Sequence, residues 1–143
     1  MKTLKVRIIE EDTDLDPASR QKLVRGWNQE KVKNSKIMIV GAGALGNEIV
    51  KNLIQMGVGT IYIVDFDYIV HANLNRCIFF LPEDADKKMY KTDAIAKNAL
   101  KHSPYPYQKI IPINSHLEEL KDAFPSRIEV TKTASGSHVE VIP

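Results

Sequence analysis

Between Lys36 and Asp67 the chain sets two short apolar runs around a segment whose apolar residues return every three or four positions. The first run, Ile37–Val40, is continuous and mostly β-branched, the pattern of a buried parallel strand. Leu45, Ile49, Leu53 and Met56 follow at helical spacing, which predicts a helix over Gly43–Met56 with that face against a sheet. Gly57 and Gly59 end the helix, and TIYIVDFD (Thr60–Asp67) reads as a second strand. The turns between these elements are short, so the crossover is expected to be right-handed and the two strands parallel.

Outside this unit the periodicity is weaker. Met1–Asp14 reads as an extended lead-in with a short strand at Lys5–Ile9. Asp16 before Pro17 is a helix start, a capping side chain ahead of proline at the first helical position, and the helix is expected to run to about Arg25 and stop at Gly26. Gln29–Lys33 reads as a further helical turn. Tyr68–Met89 shows no period and is expected to be a long loop with an aromatic patch at Phe79 and Phe80, of the kind that usually serves a site. Thr92–His102 is helical, with Ala94, Ile95, Ala99 and Leu100 as apolar contacts, and SPYPY breaks it. Lys109–Ile113 is a third strand candidate and Leu117–Ala123 a short helix. Arg127–Lys132 and Val139–Ile142 read as strands about an ASGS turn.

Composition narrows the function classes. The 143 residues suffice for one domain with a real core. A formal charge of +2 is too small to argue for a nucleic-acid surface. Cys77 is the single cysteine, so neither an intramolecular disulfide nor a cysteine-based zinc site can form within the chain. The opening MKTLKVRIIEED reaches acidic residues too soon for a signal peptide, and no apolar stretch approaches membrane-spanning length, which makes a cytoplasmic location the default expectation.

The chemistry begins where the first strand ends. KIMIVGAGALG (Lys36–Gly46) carries glycines spaced G-x-G-x-x-G between a strand and a helix. In that setting Gly41 makes the tight turn, Gly43 lets the backbone approach a phosphate, and Gly46 allows close helix packing. Asp65, at the end of the second strand, is placed to accept hydrogen bonds from ribose hydroxyls. Both a dinucleotide and ATP fit this much. The loop that follows, DFDYIVHANLNR (Asp65–Arg76), separates them: a dehydrogenase has no need for Asn73 and Arg76 there, whereas donors of this kind neutralise the oxygens of a triphosphate. Lys91 adds a mobile ammonium, and Asp67 a second carboxylate that can sit near magnesium.

At this point the chain resembles the ubiquitin-activating-enzyme, or ThiF/MoeB/HesA, superfamily. The resemblance rests on Ser19–Arg76 (arginine-glutamine ahead of the strand, then GxGxLG, GVG, DFD and NLNR in order) and more loosely on KTDAIAKNAL (Lys91–Leu100). It implies an α/β, Rossmann-like three-layer fold with a mainly parallel sheet, here truncated. Residues 1–35 would form an N-terminal helical arm, 36–124 an ATP-binding domain and 125–143 an atypical tail. It further implies ATP and Mg2+ as cofactors, and adenylation of the C-terminal Gly-Gly of a ubiquitin-like or sulfur-carrier protein. Carried over by residue, Gly41, Gly43, Ala44 and Gly46 would hold the nucleotide phosphates and Asp65 the ribose, while Asn73, Arg76 and Lys91 would contact phosphate. Asp67 is retained with a less defined role. Arg20 matches an arginine that reaches into a partner's site in dimeric relatives, so a homodimer, or a heterodimer with a fuller relative, is expected. Phe79, Phe80 and open sheet edges would offer surface for a partner to cover.

The chain also departs from the pattern. LPEDADKKMYK is longer than the usual loop, so Lys87 or Lys88 could fill the role given to Lys91. Cys77 stands where relatives commonly carry glutamine, and reads as a small packed thiol. Relatives continue into an apolar strand ending in a magnesium-holding aspartate, but Phe124–Pro143 contains no aspartate, so no metal ligand is assigned. Two alternatives to an adenylating enzyme remain at this level: an inactive relative that scaffolds or dimerises, and an NAD-dependent oxidoreductase.

Overall fold

A computed structural model of the chain describes residues 15–116, together with the strands at 127–133 and 136–142. The expectations for Met1–Asp14 and Leu117–Ala123 lie outside the described residues. Three strands, β1 (Lys36–Val40), β2 (Thr60–Val64) and β3 (Lys109–Ile113), form a parallel sheet in the order β1-β2-β3. Val40, Val64 and Ile113 are aligned across it, so all three strands end at the same edge. The connections are α2 (Ala44–Met56), between β1 and β2, and α4 (Lys91–Ala99), between β2 and β3. A shorter helix, α1 (Gln29–Lys33), precedes β1 and is capped by the Asn28 side chain, which accepts from the Lys31 N–H. This is the Rossmann-like α/β arrangement that strand–helix–strand periodicity demands.

The core explains the arrangement. Ile39, Ile61, Ile63 and Ile110 are buried in one cluster with Val50 and Ile54 of α2 and Ala94, Ile95 and Ala99 of α4. Met38, Tyr62 and Ile111 are aligned across the opposite face and remain more accessible. Among the described residues, no helix is long and apolar enough to cross a membrane.

Several expectations need correction. The buried face of α2 is Gly46, Asn47, Val50 and Ile54, not Leu45, Ile49, Leu53 and Met56. Leu45 is 73% exposed and Ile49 lies at the surface, while Leu53 packs only partly against the core. The face is rotated because Gly46 must meet the glycine turn and Asn47 the chain beyond β2. The arm is not a continuous helix from Asp16 to Arg25. Asp16 does cap it, accepting from the Ala18 N–H at 2.9 Å, but only a 3-10 turn at Gln21–Leu23 follows. Leu23 and Val24 are exposed, so no apolar face stabilises propagation past one turn. Strand β2 stops at Val64 rather than Asp67, because the Asp65 carboxylate accepts the Asp67 N–H at 2.9 Å and turns the chain.

The segment Tyr68–Met89 is not one irregular loop. It holds a 3-10 turn at His71–Asn73 and a helix α3 (Pro82–Asp86), and a bridge pairs Tyr68 with Tyr90. Phe79 and Phe80 are core residues, so they offer nothing for a partner to cover. What organises the segment is Asp84, wholly buried, whose carboxylate accepts from Lys97 Nζ (2.8 Å), Asn98 Nδ2 (2.8 Å) and the Leu81 N–H (3.2 Å). Burial by itself pushes its pKa up, but these hydrogen bonds outweigh it and hold the carboxyl below its ordinary value. At the C-terminal end, β4 (Arg127–Thr133) and β5 (Gly136–Ile142) pair with each other as an antiparallel hairpin. The expected second strand, Val139–Ile142, therefore begins earlier than its sequence pattern indicates.

Candidate nucleotide-binding site

The site grows from the turn between β1 and α2. Gly41 has a φ of +100°, a left-handed conformation that favours glycine, and its N–H donates to the Val64 carbonyl at 2.7 Å. Gly46 lies against this turn: a Cβ there would fall 2.0 Å from the Gly41 carbonyl oxygen. At Gly43 a Cβ would meet nothing within 4 Å, so the backbone faces open space. Gly43 is also the N-cap of α2, and no side chain caps it. The N–H groups of the first turn of this 13-residue helix have no intrahelical acceptors and carry the positive end of its dipole. Such a turn accepts an anion.

Asp65 closes the other side. Its Oδ2 accepts the Ala42 N–H at 2.7 Å, which joins the end of β2 to the glycine turn. Val40, Gly41, Val64, Asp65, Phe66 and Asp67, with Ser115 beyond β3, line an open cleft of about 160 Å³ at the shared carboxyl edge of the strands. That edge is where α/β sheets bind their ligands. The Phe66 ring stacks on His116 at 4.0 Å between centroids.

Of the cationic residues, Lys91 is tied to this cleft. Lys91 is the first residue of α4, and its Nζ pairs with Asp67 Oδ2 at 2.6 Å. Lys87 and Lys88, by contrast, are exposed where α3 ends. Arg76 is exposed; its guanidinium donates to the Ala72 carbonyl at 2.5 Å and to Asn75 Oδ1 at 3.0 Å. Asn73 turns its Oδ1 back to the Val70 N–H at 3.1 Å. Arg76, Asn75 and Cys77 line a second hollow of about 230 Å³ with Glu48 of α2. Burial pushes the Cys77 thiol pKa up, although the charges of Arg76 and Lys91 act on it in the opposite direction. The cysteine is thus a buried thiol lying within the field of both cations.

The structure therefore draws Gly41, Gly43, Ala44, Gly46, Asp65, Asp67 and Lys91 around one edge and sets Asn73 and Arg76 on the adjoining segment. Arg20 is elsewhere. Its neighbour Gln21 bonds to the Gln55 carbonyl and to the Tyr105 hydroxyl, at the end of α2 remote from the glycine turn. The rise of a helix puts those two ends about 18 Å apart. Among the described residues, no group of three His, Cys, Asp or Glu side chains could hold a metal ion.

Sequence reasoning missed Asn47 and Asn98, buried amides on α2 and α4. Asn98 carried a signal, lying with Ile95 and Ala99 on the apolar side of α4, whereas Asn47 carried none, because it falls off the stripe of Leu45, Ile49, Leu53 and Met56.

The ThiF family matches residues 15–132. Ubiquitin-activating enzyme E1 1 of Candida albicans is 42% identical over 73 residues, which is 48% of this chain and 7% of the relative. The sulfur carrier protein ThiS adenylyltransferase of Bacillus subtilis is 38% identical over 79 residues, 53% of this chain and 24% of the relative. Among solved structures, Escherichia coli MccB with ATP superposes with a TM-score of 0.59 at 31% identity, covering 66% of this chain and 27% of that one. The chain thus spans about a quarter or less of the length of these relatives.

Proposed function

The chain belongs to the ThiF family, and from that premise we propose that it binds ATP at the glycine turn as the nucleotide-binding part of an adenylating enzyme. The substrate of such an enzyme would be the C-terminal carboxylate of a ubiquitin-like or sulfur-carrier protein ending in Gly-Gly. The observation that carries the reading is the joining of an uncapped helix N-terminus to Asp65, with Lys91 paired to Asp67 beside it. A solved relative of the same fold holds ATP, and two sequence relatives are named for activating ubiquitin and for adenylating a sulfur carrier.

In this reaction the carboxylate oxygen attacks the α-phosphorus, the bond to the bridging oxygen breaks, and pyrophosphate leaves with that electron pair. No protein nucleophile is required. Catalysis rests on alignment and on neutralising charge. The N–H groups of Gly43 and Ala44 and the first turn of α2 would cradle phosphate, while Asp65 would orient the ribose. Arg76 would leave its contacts with Ala72 and Asn75, and Lys91 its pairing with Asp67, to reach phosphate oxygens. Magnesium, bound to the triphosphate, would supply further charge neutralisation.

Calorimetry should show ATP with magnesium binding this chain more tightly than NAD. Arg76→Ala should weaken ATP by about 1.5–3 kcal/mol, the worth of a hydrogen bond to a charged group. Binding of NAD in preference to ATP would overturn the nucleotide assignment, and unchanged affinity in the variant would remove Arg76 from the site.

Arg20 fits the same reading only in a dimer, because its segment is anchored at the far end of α2 from its own glycine turn. A second copy, or a fuller relative, would receive it. Sedimentation at rising concentration with ATP present should show the chain self-associating; a monomer throughout would exclude the homodimer.

A further inference from the structure

We propose that Asn47 is a positioning residue for the nucleotide site: it sets which way the glycine turn presents its peptide groups and ties that turn to the segment bearing Arg76. The inference deepens the ATP-binding reading and rests on it. Asn47 is the fourth residue of α2 and has no solvent exposure. Its Nδ2 donates to the Ala42 carbonyl at 3.1 Å and to the Gly43 carbonyl at 2.9 Å. Its Oδ1 accepts the Phe79 N–H at 3.0 Å. Both amide hydrogens and the carbonyl oxygen are thereby in use.

The Gly43 carbonyl also accepts the Asn47 backbone N–H at 2.9 Å, whereas the Ala42 carbonyl is held by the side chain, and that contact decides the polarity of the turn. In a planar trans peptide the N–H points opposite to the C=O. No cis peptide occurs among the described residues. Drawing the Ala42 carbonyl inward therefore turns the Gly43 N–H outward, to the side where Gly43 borders open space, next to the Ala44 N–H that the helix itself orients. If the Ala42–Gly43 peptide rotated, a carbonyl oxygen would face the phosphate, and attraction would become repulsion. The side chain that could prevent this is wholly buried beneath the turn.

The third contact reaches across to the other half of the site. Phe79 is buried three residues beyond Arg76, and its peptide is held on both sides: Asn47 takes its N–H, and Asn98 of α4 donates to its carbonyl at 2.9 Å. Asn98 is fixed in turn by Asp84 at 2.8 Å. The segment carrying Arg76 is thus suspended between the helix that starts at the glycine turn and the helix that starts at Lys91. Asn47 is the direct polar link from the first of these to that segment.

Asn47→Asp separates the proposal from a general packing role. The carboxyl keeps an acceptor for the Phe79 N–H; ionised it repels the carbonyls, and protonated it offers one hydrogen where the amide offers two. Displacement of a fluorescent ATP analogue by ATP and by adenosine, with circular dichroism and thermal melting as folding checks, reads the effect. ATP affinity should fall about 10- to 100-fold, the range for one or two lost interactions with a charged group, while adenosine affinity stays near that of the wild type. Should the aspartate variant not fold, Asn47→Ser takes its place. Its hydroxyl donates to one carbonyl and does not span to Phe79, so it should show the same selective loss in weaker form. Equal loss for ATP and adenosine, or no loss in a folded variant, would overturn the positioning role. Failure of the wild-type chain to bind ATP would overturn the nucleotide reading itself, and this inference with it.

Discussion

Gly46→Ala should cost at least about 3 kcal/mol of stability, the upper end of the usual penalty for overpacking, and should abolish ATP binding in whatever fraction remains folded. The added methyl would lie 2.0 Å from the Gly41 carbonyl oxygen and 3.0 Å from its carbon, and both atoms are backbone. Neither can move cheaply. Gly41 is held by its bond to the Val64 carbonyl and by a left-handed φ, and the next residue is held by the Asp65 carboxylate. The strain must instead separate α2 from the turn, which opens the cluster around Val50 and Ile54. Gly43→Ala provides the contrast. Its φ of −75° suits alanine and its Cβ meets nothing within 4 Å. That variant should melt close to the wild type while losing ATP affinity, because the methyl occupies the space a phosphate would use. Thermal melting with and without ATP distinguishes the two. A Gly46→Ala chain with unchanged melting would mean that the turn and α2 are less tightly apposed than described.

The strand–helix–strand unit was legible because its signals are local. Apolar runs of strand length, a glycine turn and terminal glycines need no knowledge of the rest of the chain. Gly41 and Gly46 were legible for the same reason, since their roles follow from backbone geometry alone. The orientation of α2 was not. Leu45, Ile49, Leu53 and Met56 make a coherent apolar stripe, yet the helix turns Gly46 and Asn47 inward, because a close backbone contact and three hydrogen bonds to a buried amide constrain it more than a leucine side chain does. Periodicity measures hydrophobicity and is blind to a buried amide with all its partners. The segment after Tyr68 was opaque on the same grounds. Its order comes from Asp84, Asn98 and Asn47, polar residues that a sequence reading assigns to solvent. Helix α3 did carry a local sign, proline at its first position and an aspartate at its third, but its five residues were too few to show a period.

The second large effect concerns turnover: this chain, tested alone, should bind ATP yet catalyse little or no exchange of pyrophosphate with it. In doubly wound sheets the ligand lies at the carboxyl edge where the strand order reverses, in a crevice with strands on both sides. Here β1 is bonded to β2 on one side, and among the described residues no strand joins it on the other. The strands β4 and β5 pair with one another instead, and Phe124–Pro143, which includes them, supplies no aspartate. The carboxylates at the cleft are already engaged. Asp65 takes the N–H groups of Ala42 and Asp67, and Asp67 is paired with Lys91. Releasing Asp67 to magnesium would also release Lys91 to phosphate, but one monodentate carboxylate fixes the metal poorly, because magnesium requires near-octahedral oxygen geometry. Binding tolerates that looseness; in-line attack on the α-phosphorus does not, since misplacement by about 1 Å costs on the order of a hundredfold in rate. The measurement is ATP–pyrophosphate exchange with ubiquitin-like and sulfur-carrier proteins ending in Gly-Gly, run beside calorimetry on the same preparation. Binding without exchange is the expected pair of results. Exchange at a rate typical of a complete adenylating enzyme would show that Asp65, Asp67 and the triphosphate suffice to align the reaction, and that no further strand beside β1 is needed.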